Sequence, residues 1–196
     1  RSGNGRSVSE LPDSDCEVFS PCAASALYAT TSFEREGGFD ESFFCYLEDV
    51  DLGFRLRLRG ERCIQVRHAE VLHAGSAISG HLSDFSVFHS YRNRVWLFAK
   101  DAPWALLPLI FGLQGVTVPL ALARREARPY RRAALKGVWA GIRGLRRALQ
   151  SRGRVQRNRV KSTFEVARMM MWNPMKSRPK GRIQVFGQAQ EASSRR

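Results

Sequence analysis

The chain has 196 residues and a mass of 22.2 kDa, the length of one domain or of one domain with an appendage. Its 43% hydrophobic and 26% charged residues exclude bulk disorder and collagen-like repeats. The net charge of +14 is unevenly spread: residues 1–123 hold 11 Lys/Arg against 15 Asp/Glu, residues 124–161 hold 14 against 1, and residues 162–196 hold 7 against 2. A mildly acidic body with a basic C-terminal third argues against a uniformly basic nucleic-acid-binding domain.

Residues 1–17 read as a loop without the apolar run of a signal peptide. Arg1 in place of Met suggests a piece of a longer protein, a processed product or a shifted start. Cys16, Cys22, Cys45 and Cys63 lack CxxC spacing and read as reduced thiols of a cytosolic protein. The apolar stretch from Cys22 to Ala29 predicts a buried strand. Thr31 to Glu36 predicts a short helix, with Thr31 and Glu34 at capping-box spacing and Gly37-Gly38 ending it. A second helix is expected from Glu48 to Arg59, capped by Gly60, with Leu52 and Leu56 inside and Arg55 and Arg59 outside. Cys63 to Arg67 alternates like a short strand, Ala74 to Asp84 is small and polar like a mobile loop, and Phe85 to Lys100 is helical.

Residues 102–123 carry no charge over 22 positions, enough to cross a bilayer. Pro108, Pro119, Gly112, Gly115 and Gln114 favour an interfacial or re-entrant hairpin over a span. Residues 132–149 give the clearest periodicity: Leu135, Val138, Trp139, Ile142, Leu145 and Leu149 form an apolar stripe, with Lys136, Arg143, Arg146 and Arg147 mostly off it. A basic amphipathic helix with Trp on its apolar face fits a membrane surface; the plainer alternative is a helix packed on the domain with a solvated basic face. From about Ser177 the chain reads as a disordered tail.

Chemistry points to Gly37–His73. Glu48, Asp49 and Asp51 fall at a predicted helix start, where the dipole favours carboxylates, and an ionised carboxylate can take a proton from an attacking hydroxyl. Plain capping with an Asp51–Arg55 pair at i, i+4 explains the same residues. His73, after a short strand, is a structural histidine or a ligand.

The order of the pieces adds information. Gly37-Gly38-Phe39-Asp40-Glu41, then Phe43-Phe44, then Glu48-Asp49-Val50-Asp51-Leu52, an Arg-rich helix, a glycine, a strand and His73 resembles the C-terminal half of the catalytic domain of family 2 glycosyltransferases, of the rhamnosyltransferase and galactofuranosyltransferase kind. The resemblance covers about residues 19–100, and Tyr91-Arg92-Asn93-Arg94 is similar to a later run in these enzymes. It implies an α/β fold, the distal half of a GT-A-type nucleotide-sugar transferase domain, followed by an α-helical membrane-associated region. It implies an inverting transfer from a nucleotide-sugar donor to a lipid-linked or polysaccharide acceptor in cell-envelope glycan synthesis, with a divalent cation (manganese or magnesium) at the leaving diphosphate. By position, Asp49 matches the base, Glu48 and Asp51 match neighbours that orient the acceptor or hold the helix start, and His73 matches a metal ligand. Arg92 and Arg94 are candidates to meet phosphate charge, and the Gly75–Gly80 loop to close over the donor.

The nucleotide-binding half and its Asp-x-Asp motif are expected N-terminal to this stretch; Asp13-Ser14-Asp15 reads as a chance match. This chain by itself is therefore expected to lack most donor-binding groups. The expected organisation is a loop at 1–17, the catalytic half at 18–100, apolar and basic helices at 101–161, and a short helix with a basic tail at 162–196. The expected partners are the nucleotide-sugar, the acceptor and an anionic membrane, not nucleic acid, with the protein peripheral at the cytoplasmic face of the plasma (inner) membrane. The rival expectation is an inactive fragment that binds membrane or nucleic acid through its basic arm.

Overall fold

The computed structural model describes residues 14–69, 71, 83–170 and 172; His73 and the Gly75–Gly80 loop lie outside them. The described residues are mostly helical with one small sheet: β1 (Cys16–Val18), α1 (Thr30–Arg35), α2 (Glu48–Leu58), β2 (Cys63–Gln65), α3 (Asp84–Asp101), α4 (Leu107–Ala123), α5 (Arg131–Arg143), α6 (Leu145–Arg157) and α7 (Thr163–Met169). β1 and β2 pair antiparallel, Cys16 opposite Gln65 and Val18 opposite Cys63. Of the α/β expectation, the described residues show helices with one small two-stranded sheet. The strand expected at Cys22–Ala29 is instead a 3-10 turn at Ala23–Ser25 followed by irregular chain, because its small residues bury nothing.

α2 starts and stops where the sequence places it. Its first turn carries Glu48, Asp49 and Asp51, and Gly60 beyond its end takes φ +88°. α1 begins after Ala29 with no side-chain cap, so the Thr31/Glu34 capping box is absent. A capping box does open α3, between Ser83 and Ser86, and another opens α7, between Ser162 and Glu165.

α3 is the spine. One core joins Phe54 and Leu58 of α2, Trp96 and Leu97 of α3, Leu107 and Ile110 of α4, Ala148 of α6 and Val166 of α7. The basic helices are therefore not set apart from the acidic body. The chain after α6 also returns to α2, where the Val160 and Lys161 N–H groups donate to the Leu58 carbonyl at 2.9 and 3.1 Å. Buried Arg152 of α6 stacks on Trp104 and donates to the Ala99 and Ala102 carbonyls, both at 2.7 Å, at the end of α3. Arg131 donates likewise to the Leu122 and Ala123 carbonyls at the end of α4.

Two expectations for the C-terminal half are corrected. Residues 107–123 form one helix through Pro119, not a hairpin, and Trp104–Ala123 is long and apolar enough to cross a membrane. The 132–149 helix is broken at Gly144, where the Trp96 indole lies so close that a Cβ would sit 2.5 Å from its ring. The face of α5 turned to α3 is also the small one. Ala133, Ala134, Gly137 and Gly141 are buried, and a Cβ on Gly141 would stand 2.9 Å from the Arg92 carbonyl oxygen. Leu135, Trp139, Ile142 and Leu149 of the sequence stripe point outward, Trp139 at 60% exposure.

Candidate active site

The acids of α2 differ in surroundings. Asp51 is fully buried and doubly held: Arg55 donates through Nε at 2.9 Å, and the Lys100 ammonium lies 2.5 Å from its other oxygen. Arg55, expected outside, is buried because that pair carries it inward, where it also donates to the Glu36 and Gly38 carbonyls at 2.8 and 2.7 Å. Lys100 further pairs with Asp40 at 2.6 Å, linking the Gly-Gly-Phe-Asp-Glu turn to α2. Asp51 thus ties the first turn of α2 to Arg55 and Lys100.

Asp49 is buried beneath the Ala23 turn. Its Oδ2 accepts the Ala23 N–H at 3.2 Å and its Oδ1 the Val50 N–H at 2.8 Å. Half-buried Tyr28 lies near it, its phenol pushed up to about 12 by burial and then by the Asp49 charge. Glu48 is half-buried on the same turn.

Burial alone would depress the Lys100 ammonium, but Asp101, Asp51 and Asp40 around it raise its pKa. The same ammonium, with Ser42, pulls Asp40 below the usual carboxylate range against the effect of burial. Asp101 is fully buried, and burial, then the Asp51 charge, lift its pKa well above 3.8.

The loop into α2 is strained. Phe44 (φ 63°, ψ −62°), Tyr46 (φ 65°) and Leu47 (φ 69°) all have positive φ, each costing on the order of 1–3 kcal/mol in a non-glycine residue. The Cys45 N–H donates back to the Phe43 carbonyl at 2.7 Å, closing a three-residue turn around Phe44. The Phe44 ring is largely exposed beside Phe85 and His89.

Of the arginines expected to meet phosphate, Arg92 points inward. It donates to Asn93 Oδ1 and the Phe43 carbonyl at 2.9 and 2.8 Å and lies over the Trp96 ring. Half-buried Arg94 lies over Tyr91. The structure thus brings together Glu48, Asp49 and Asp51, and Arg92 reaches the loop before them; His73 is outside the described residues. Sequence reasoning missed the roles of Lys100, Asp40, Asp101 and Asn93, and the only signals were the places of Asp40 in the Gly-Gly-Phe-Asp-Glu turn and of Asn93 in the Tyr-Arg-Asn-Arg run.

Among the described residues no three His, Cys, Asp or Glu side chains are grouped to hold a metal ion, and Asp51 is occupied by two cations of the protein itself. The described residues therefore do not fit the divalent cation that the resemblance implies.

No protein-family model and no solved structure matches the chain. Over 117 residues, 56% of this chain, it is 34% identical to the N-acetylglucosaminyl-diphospho-decaprenol L-rhamnosyltransferase of Mycobacterium tuberculosis, in strain CDC 1551 / Oshkosh and equally in strain ATCC 25618 / H37Rv. The match spans 37% of the length of these relatives, so what is similar to a rhamnosyltransferase is a portion of one.

Proposed function

We propose that the chain is the C-terminal part of the catalytic domain of an inverting family 2 glycosyltransferase of GT-A fold, acting in cell-envelope glycan synthesis. The observation that carries this reading is the buried Asp49 carboxylate on the acidic first turn of α2, in a chain part of which is similar to an enzyme named as an L-rhamnosyltransferase. A hydroxyl of a lipid-linked acceptor attacks the anomeric carbon of a nucleotide-sugar. The new C–O bond forms as the bond to the diphosphate breaks, and the hydroxyl proton passes to Asp49. Glu48 orients the acceptor. His73, the imidazole proposed as a metal ligand, lies outside the described residues, and no step is routed through a metal.

The exposed faces support a membrane-apposed enzyme. Leu109, Phe111, Val116 and Leu120 of α4 and Leu135, Trp139, Ile142 and Leu149 of α5 and α6 face outward, beside exposed Arg132, Lys136, Arg143, Arg146 and Arg147. Large apolar groups among cations suit an anionic lipid surface, here assigned to the cytoplasmic face of the plasma (inner) membrane. Leu27, Ile64 and Val66 are exposed on the catalytic half, and we assign their cover to the remaining part of the enzyme.

The test is Asp49→Asn in the full-length protein, with a decaprenol-linked N-acetylglucosamine acceptor and nucleotide-rhamnose. Transfer should fall by orders of magnitude with donor binding nearly unchanged. Activity within a few-fold of wild type would remove Asp49 as the base.

A further inference from the structure

Residues 44–47 place three side-chain-bearing residues at positive φ directly before the acidic turn. One side chain faces that loop from within. Asn93, fully buried on α3, presents Nδ2 to the carbonyl oxygens of Phe43, Cys45 and Tyr46 at 3.0, 2.8 and 2.7 Å. Its orientation is fixed from behind, because Oδ1 accepts from Arg92 Nε at 2.9 Å, which leaves the amide nitrogen toward the loop. Arg92 reinforces the grip with its own donation to the Phe43 carbonyl.

The chemistry asks for an amide here. Turning the backbone over at Phe44, Tyr46 and Leu47 brings carbonyls together in the interior, where each needs a donor. One short uncharged side chain brings two N–H bonds within reach of all three, and Arg92 and the Cys45 N–H share the Phe43 carbonyl with it. A serine is too short to span them, and an aspartate of the same shape would offer oxygens to oxygens. The clamped loop also leads straight into α2: Leu47 is its N-cap, and the Leu47 carbonyl accepts the Asp51 N–H at 2.8 Å. The dihedrals of residues 44–47 therefore aim the first turn, and with it Glu48 and Asp49.

We infer that Asn93 is a positioning residue, holding the 43–47 loop in its strained path and so fixing the acidic turn of α2 against the acceptor. This rests on the reading of Asp49 as the base. Strain that a side chain must hold is strain that glycine would remove. Phe44 is the position to change, since its φ and ψ are open to glycine and its ring is largely exposed.

The experiment uses the full-length protein, nucleotide-rhamnose and the decaprenol-linked acceptor. Asn93→Ser should lower kcat about 100-fold, as a misplaced catalytic group does, while near-ultraviolet circular dichroism and donor KM stay close to wild type. Adding Phe44→Gly should restore kcat by roughly tenfold or more, a rescue that lost stability alone would not give. Asn93→Ser with kcat within a few-fold of wild type, or a double variant no better than the single, overturns the inference. If Asn93→Ser does not fold, the double variant decides: folded and active supports the clamp, unfolded overturns it. Wild-type protein without transfer activity would sink the functional reading instead. The clamp would then be judged by amide exchange at residues 45–52, faster in Asn93→Ser by about tenfold if the clamp holds and unchanged if it does not.

Discussion

Around α2 the interior is ionic. Asp51, Lys100, Arg55 and Asp101 are all buried there, and Asp40 reaches in to join them. Around α5 the interior is small, with Ala133, Ala134, Gly137 and Gly141 letting the helix lie close on α3 while its large apolar residues face out. Buried ion pairs are a poor source of net stability, yet removing one partner strands the other, so they fix geometry. Small-residue contacts fix distance and leave the opposite helix face free. The region proposed for chemistry is held for precision, and the region proposed for membrane contact is held so that its broad face stays open.

Breaking the ionic side should do most harm. Lys100→Met leaves Asp40 and Asp51 without their shared cation and should destabilise by about 3–5 kcal/mol, read as a lower urea midpoint. A loss below about 1 kcal/mol, the size of a surface pair, would show the network to be dispensable. On the small-residue side, Gly141→Leu forces a side chain into the α3 backbone and should cost about 1–3 kcal/mol or more. A neutral outcome would mean that the close approach of α3 and α5 is not needed.

A pH series sharpens the contrast. The folded state keeps Asp101 protonated above the pH at which the unfolded chain releases that proton, near 3.8. On this account stability falls as pH rises from about 4 toward the raised folded pKa, with a slope of at most about 1.4 kcal/mol per pH unit, and is flat beyond it. Asp40 works in the opposite sense, since its lowered folded pKa gives stability present above 3.8 and lost as pH falls through that folded value. Asp101→Asn should remove the first slope and leave the second, measured by urea midpoints across pH; an unchanged profile would mean that Asp101 titrates normally. Smallest for stability, and largest for lipid, is Leu135→Ser with Trp139→Ser. Both residues are exposed, so stability should stay within about 0.5 kcal/mol. Sedimentation with vesicles containing anionic lipid should fall sharply, and vesicle binding equal to wild type would turn the lipid reading away from this face.

Much of the local structure was legible. The three acids, the leucine spacing and Gly60 bound α2 to within a residue of the helix found. Cys63 to Gln65 is a strand, and α3 differs by one residue at each end from the expected Phe85–Lys100. The inward face of α5 was not legible, because Leu135, Trp139 and Ile142 repeat with helical period just as the alanines and glycines behind them do. Periodicity names two faces but not which one packs, and the close approach of Trp96 to Gly144 comes from 48 residues away. The site was half legible. The acids stand in one helical turn, while Asn93 and Lys100 meet their partners across 47 to 60 positions of chain, a distance over which pattern carries no information.

Arg131 and Arg152, which close the ends of α4 and α3, change how the arm looks to an approaching surface. Of the 14 basic residues between 124 and 161, these two are turned to backbone carbonyls, Arg152 wholly inside. The valence presented to lipid headgroups is correspondingly lower than composition suggests. At about 1 kcal/mol per cation near an anionic leaflet, counting buried Arg152 overstates adhesion by about 1 kcal/mol. A salt titration of vesicle binding would report the smaller number, and neutralising Arg152 would loosen the fold instead of the adhesion.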